Sequence, residues 1–182
     1  MNIETQRLIL RPPIKADFEA WALMEADESV KANTGAVQDQ RESWSQLLAI
    51  AGHWSIMGWG ALCAVEKLSG RFIGRFGPTK PFGWPATEIG WMLLPAFQGK
   101  GYALEGAIAA MDFAFFELGE PRIIHTIRPA NMASQKLARK LGSTNLGPIT
   151  LPPPYENTPN EEWSQTLAEW VENRKRFTPP IA

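Results

Sequence analysis

The 182-residue chain is 45% hydrophobic and 20% charged, a composition that suits a folded domain and excludes a disordered segment. Eighteen basic side chains nearly cancel nineteen acidic ones, and a net charge of −1 supplies no global field for nucleic acid or an anionic membrane. The single cysteine, Cys63, has no disulfide partner, and with only His53 and His125 beside it a metal centre is not expected.

In chain order, residues 7–13 read as a short strand closed by prolines. Residues 15–26 carry Phe18, Trp21, Ala22 and Met24-Glu25 at near-helical spacing. A second helix over 41–57 places Trp44, Leu47, Leu48 and Ala51 on one face before Gly58 and Gly60 break it. The apolar stretch 49–65 contains His53, Ser55 and three glycines, and is shorter than a membrane span of about 20 residues. It reads as a helix end, a turn and a strand. Cys63, in Ala61-Leu-Cys-Ala-Val, is expected to be a buried, inert thiol. Residues 59–66 and 71–77, separated by Lys67-Leu-Ser-Gly, predict a hairpin. Residues 78–85, with Phe82, Gly83 and Trp84, predict an ordered aromatic loop, and 87–93 a strand.

The helix after the next glycines is the clearest element, with Leu104, Ile108, Met111, Phe115 and Leu118 on one face and Gly119 as its stop. A strand over 122–127 follows, then a helix capped by Asn131, with Leu137 and Leu141 inward and Gly142 at its end. Residues 144–151 and 161–167 read as final strands around the proline loop 152–159. His125, among apolar neighbours, reads as a satisfied core histidine. No repeat or linker divides the chain, so one mixed α/β domain over 1–182 is expected. Met1-Asn-Ile-Glu-Thr-Gln-Arg lacks the layout of a signal peptide, and a cytoplasmic location is expected.

Gln98-Gly-Lys-Gly-Tyr-Ala lies between a predicted strand and that strong helix. Gly99 and Gly101 let the backbone take unusual torsions and approach a ligand closely. The free N–H groups of the helix start face the same point, with the positive end of the dipole behind them. This is a setting for a pyrophosphate, although an ordinary strand-to-helix turn would carry the same glycines. A Walker loop fails because Lys100 is followed by Gly101, and the dinucleotide fingerprint fails at Leu104. Half the chain precedes the loop, which also counts against a nicotinamide enzyme.

Three segments in order resemble the GNAT superfamily of N-acetyltransferases, in particular its RimJ/RimL-like branch. They are Glu4-Thr-Gln-Arg-Leu-Ile-Leu-Arg, then Glu88-Ile-Gly-Trp-Met-Leu-Leu-Pro-Ala-Phe-Gln-Gly-Lys-Gly-Tyr-Ala, then Asn131-Met-Ala-Ser-Gln-Lys-Leu-Ala-Arg-Lys-Leu-Gly. The resemblance covers nearly the whole chain. It implies a mostly antiparallel sheet of six to seven strands, splayed between the family's fourth and fifth strands and flanked by about four helices. It implies acetyl-CoA as co-substrate and no metal. The pantetheine arm would pair with the backbone of Trp91, Met92 and Leu93. Gln98, Gly99, Lys100, Gly101, Tyr102, Ala103 and Leu104 would hold the pyrophosphate, and Asn131 the pantetheine, with Ser134 near the thiol.

Amine acetylation by a thioester needs a neutral acceptor nitrogen, a donor to the oxyanion, and a stabilised departing thiolate. Glu88, opening the strand that would carry the thioester, is the expected base. Its bland alternative is a solvated strand-end carboxylate. The oxyanion donor would be a main-chain N–H near Met92 or Leu93. Two positions depart from the family pattern: Ala138 stands where many members carry a tyrosine acid, and Thr126 replaces a glutamate. Ser134 is the surviving candidate to bond the thiol, or else only a helix-start cap. Phe82, Trp84 and Tyr155 are expected to wall the acceptor site. The sequence therefore supports an acetyl-CoA-dependent N-acetyltransferase acting on a primary amine in a ternary complex. The alternative is a non-catalytic acyl-CoA-binding module of the same fold. The acceptor stays open, and a homodimer is compatible with the resemblance.

Overall fold

Strands β1 (Ile3–Glu4), β2 (Leu8–Arg11), β3 (Leu62–Glu66), β4 (Phe72–Thr79), β5 (Thr87–Leu93), β6 (Arg122–Ile127), β7 (Thr144–Ile149) and β8 (Asn160–Thr166) form one sheet in the order β1-β2-β3-β4-β5-β6-β8-β7. The computed structural model describes residues 1–34 and 39–177. Every neighbouring pair is antiparallel except β5–β6. The helices are α1 (Phe18–Ala26), α2 (Glu28–Thr34), α3 (Gln40–Met57), α4 (Tyr102–Asp112), α5 (Met132–Leu141) and α6 (Leu167–Arg174). The mixed α/β class is as expected. The described residues hold eight strands and six α-helices, more than the six to seven and about four implied by the resemblance.

Strand alternation divides the core into two layers. Leu62, Ala64, Ile89 and Leu93 pack with Ile108, Met111 and Phe115 on the α4 face, where Leu141 of α5 joins them. Ala61, Cys63 and Met92 point the other way, onto Trp21 and Met24 of α1 and Leu47 and Ile50 of α3. These two faces recur below, because the candidate site joins them. Among the described residues no helix is long and apolar enough to cross a membrane.

Several elements differ from expectation for local reasons. On α3 the inward residues are Ser43, Leu47 and Ile50, whereas Leu48 is half exposed. The α4 periodicity ends at Asp112 and the chain continues as a π-helical turn over Phe113–Glu117, with Leu118 N–H bonded to Phe113 O at 3.0 Å. Strand β4 runs through Pro78, where the sequence pattern predicts loop. The β3 pairing stops at Leu62 opposite Phe76, so the N–H that Pro78 lacks has no ladder partner to lose. Helix α6 begins one residue after β8, closed by a reciprocal cap between Thr166 and Glu169.

Candidate active site

The site begins where two strands part. Strands β5 and β6 are registered only at Thr87 with Ile123 and Glu88 with Ile124. Beyond Glu88 β5 keeps its β4 partner but has none on the other edge among the described residues. Leu94 N–H bonds Ile73 O, so alternation turns the main chain of Met92 and Gly90 to β4, and that of Ile89, Trp91 and Leu93 to the gap. Two of the gap-facing carbonyls are already engaged: Ile89 O by His125 Nδ1 at 2.7 Å, and Leu93 O by Gln98 Nε2 at 3.2 Å. Trp91 lies between them. The expected oxyanion donor at Met92 is thus corrected, because its N–H belongs to the β4 ladder; those of Trp91 and Leu93 face the gap.

His125 holds the gap at a fixed width. A carbonyl cannot donate, so Nδ1 carries the proton toward Ile89 O, and Nε2 accepts from Ser143 Oγ at 3.0 Å. Burial pushes its pKa down to about 4, and the ring stays neutral against Trp91, 4.7 Å away between centroids.

At the far end of β5, Gln98 is followed by Gly99 at φ +72° and Gly101 at φ +85°, torsions that a side chain rarely tolerates. Gly101 caps α4, and the N–H groups of Gly101, Tyr102, Ala103 and Leu104 donate to no protein acceptor among the described residues. The loop is tied down by residues that pattern reading missed. Glu105 accepts from Thr5 Oγ1 at 2.5 Å and from the Arg7 main-chain N–H at 2.7 Å, and pairs with Arg7 Nε at 2.6 Å. Arg7 Nη1 donates to Lys100 O at 2.9 Å and its guanidinium lies 4.2 Å from the Tyr102 ring centroid. The Glu4-Thr-Gln-Arg start was the available signal. Tyr102 turns inward and donates to Glu66, so its side chain is a wall and not a phosphate ligand.

A cleft of about 640 Å³ crosses the sheet at the gap and is lined by Glu88, Trp91, Met92, Asn131, Ser134 and Trp84, with Tyr155 of the proline loop. Leu93 and the loop residues Gln98, Gly99, Lys100, Gly101, Tyr102, Ala103 and Leu104 are outside this lining. Phe82 does not reach the cleft, contrary to expectation. Trp84 N–H closes a turn onto Pro81 O at 3.0 Å with Gly83 at φ +80°, and Phe82 at its tip is fully exposed. Trp84 and Tyr155 meet edge to face with centroids 5.6 Å apart.

Glu88 Oε1 accepts from Thr126 N–H at 3.1 Å and from Thr126 Oγ1, so the residue replacing the family's glutamate grips the candidate base. Burial raises the Glu88 pKa above the ordinary carboxylate range, opposed by those bonds, by the weaker approach of Trp84 Nε1–H and by Arg75. Ser134 has the cap role expected of it, and its side chain is also fixed at the gap. Its N–H donates to Asn131 Oδ1 at 3.0 Å as part of the helix cap, and its Oγ accepts from Trp91 Nε1 at 3.1 Å. Accepting that bond leaves the hydroxyl hydrogen for an acceptor in the cleft. Ala138 is wholly buried beside Ile127 and Trp163, and Trp91 packs against this small cluster. Among the described residues no three potential metal ligands cluster.

Comparison with known proteins adds sequence relatives and a structural neighbour. The chain is 40% identical over 75 residues to the uncharacterized N-acetyltransferase YnaD of Bacillus subtilis (strain 168), covering 41% of this chain and 44% of that protein. It is 34% identical over 133 residues to the FsC-acetyl coenzyme A-N(2)-transacetylase of Aspergillus fumigatus, covering 66% and 56%. The matches thus span about half the length of these curated relatives. The crystal structure of the acetyltransferase from Agrobacterium tumefaciens str. C58 superposes with a TM-score of 0.79 at 29% identity, covering 91% of this chain and 94% of that one. The family described as "Acetyltransferase (GNAT) domain" matches residues 7–144. With that match over most of the sheet, the gap and the glycine loop, the chain belongs to the GNAT acetyltransferase family.

Proposed function

We propose that the protein transfers an acetyl group from acetyl-CoA directly to a primary amine. The observation that carries this reading is the pairing of the open β5 edge with four unpaired N–H groups at the start of α4. A diphosphate fits that helix start because it supplies the oxyanions those donors lack. An extended amide-bearing arm fits the edge at Trp91, whose main-chain N–H and C=O both face the gap.

Each residue has a role set by its surroundings. Glu88, whose pKa is raised by burial, is suited to take a proton from the acceptor, directly or through water. The gap-facing N–H groups of Trp91 and Leu93 stabilise charge developing on the thioester oxygen. The Ser134 hydroxyl, oriented by Trp91, donates to the departing thiolate. A thiol with a free pKa of about 8.5 needs such stabilisation more than full protonation, which accommodates Ala138 in place of a tyrosine. Asn131 stands at the same edge of the gap. Trp84 and Tyr155 wall the acceptor side. The RimJ/RimL-like branch is supported by the three sequence segments, and the whole chain acts as one catalytic domain.

The test is incubation with acetyl-CoA and a panel of amines, reading free thiol and product mass. Amine-stimulated thiol release is the expected result, and Glu88→Gln should lower kcat by about 100-fold or more. Tight CoA binding with no amine-stimulated release for any member would instead identify an acyl-CoA-binding module.

A further inference from the structure

The cleft carries more positive charge than acetyl transfer to a simple amine needs. Arg75 of β4 and Arg128, the residue after β6, both line it, against Glu88 as the only carboxyl among the described lining residues. Arg75 is held in place: its guanidinium stacks 4.8 Å from the Trp21 ring centroid, and Nη2 lies 3.5 Å from the wholly buried Glu25. Arg128 is different. Its Nε is buried without a hydrogen-bond partner, and its guanidinium makes no ion pair or ring contact among the described residues. Burying part of a charged fork with no acceptor is costly, and a ligand is one way to repay it.

The sheet's two faces say which ligand. Ile89, Trp91, Leu93 and His125 point to the layer of α4 and α5, which holds the glycine loop, Asn131 and Ser134. Glu88, Met92 and Thr126 alternate to the layer of α1 and α3, where Arg75 meets Trp21 and Glu25. Arg128 continues the alternation of Thr126 onto that same layer, past the last β6–β8 pair of Ile127 with Glu161, and lines the cleft together with Asn160, the first residue of β8. The proposed cofactor groups thus lie on one face, and both arginines with the candidate base on the other.

We propose that the acceptor amine carries a carboxylate, and that Arg128, with Arg75 behind it, receives that group. This rests on the transferase reading above and names its substrate class: an amino acid, or a peptide or small molecule with an acidic group near its amine. A guanidinium fork fits a carboxylate in two parallel hydrogen bonds. Polyamines and other polycations are disfavoured by the same charges.

The experiment is a panel of amino acids and dipeptides, each matched with its carboxamide, together with spermidine. Binding is measured by titration calorimetry with CoA present, and turnover with acetyl-CoA, for wild type, Arg128→Gln and Arg128→Lys. At least one acid should outbind its amide by about 10- to 100-fold. Arg128→Gln should erase that preference while CoA affinity stays within about twofold, and Arg128→Lys should restore part of it. No acid preference anywhere in the panel overturns the proposal, as does a preference that survives Arg128→Gln. A loss falling on CoA itself would assign Arg128 to a cofactor phosphate and also overturn it. An acid preference in binding without acetylation would sink the transferase reading alone; acetylation without the preference would sink this one alone.

Discussion

Lowering the pH should loosen this fold through one residue that braces the gap. His125 is buried, donates from Nδ1 to Ile89 O and accepts at Nε2, so it has no place for a second proton without breaking a bond. Its pKa falls from 6.5 to about 4 on folding. Between those values the unfolded chain binds the extra proton and the folded chain does not, so stability is full above pH 6.5 and is lost as pH falls toward 4. The depression corresponds to about 3 kcal/mol, a sizeable share of a typical domain's stability. Glu88, raised by burial, acts in the opposite sense, losing stability as pH rises through its folded value, so the histidine must be isolated by difference. Urea unfolding of wild type and His125→Gln at several pH values from 7.5 down to 4.5 does this. The wild type should lose about 2–3 kcal/mol more than the variant over that range. Parallel pH dependences for the two proteins would refute the reasoning.

Three further outcomes are expected. Glu105→Ala removes the acceptor shared by Thr5 and Arg7, and should weaken CoA binding by about 5- to 20-fold although Glu105 touches no ligand in this account; an unchanged Kd would detach the loop's geometry from that cluster. Trp84→Ala should raise the acceptor KM by about 10-fold with CoA affinity held, since its indole walls only the acceptor side; equal KM values remove it from that wall. Burial pushes the Cys63 thiol pKa up, so an aromatic disulfide reagent at pH 8 should label the native protein at least about 100-fold more slowly than the unfolded one; comparable rates would contradict its burial.

The sequence was most readable where one local rule decided the outcome. Gly99 and Gly101 sit at positive φ because the turn into α4 demands it, and Cys63 is buried because its strand is apolar on both faces. Partners that are distant along the chain leave no such local mark. Arg7 and Glu105 meet across most of the chain, and neither belongs to a periodic pattern that would announce the other. The Trp91–Ser134 bond and the position of Arg128 depend on how far β5 and β6 diverge, which no single segment encodes. Helical spacing alone points Leu48 inward, but the face of α3 is set by Trp21 and Met24 across from it, and they select Leu47 and Ile50. The short helix α2 has no apolar period to detect. Helix α6 did carry a signal in Thr166 and Glu169, hidden by the strand just before it.

The most direct measurement is CoA affinity, by titration calorimetry, in a Gly99→Val, Gly101→Val double variant whose fold is verified by circular dichroism. Both positions hold left-handed torsions that cost a side chain about 1–2 kcal/mol each, so the loop should abandon its conformation and its donors. Affinity should fall by about 100-fold or more, from the loss of two or more charge-assisted bonds. A folded double variant that binds CoA as tightly as the wild type would contradict it.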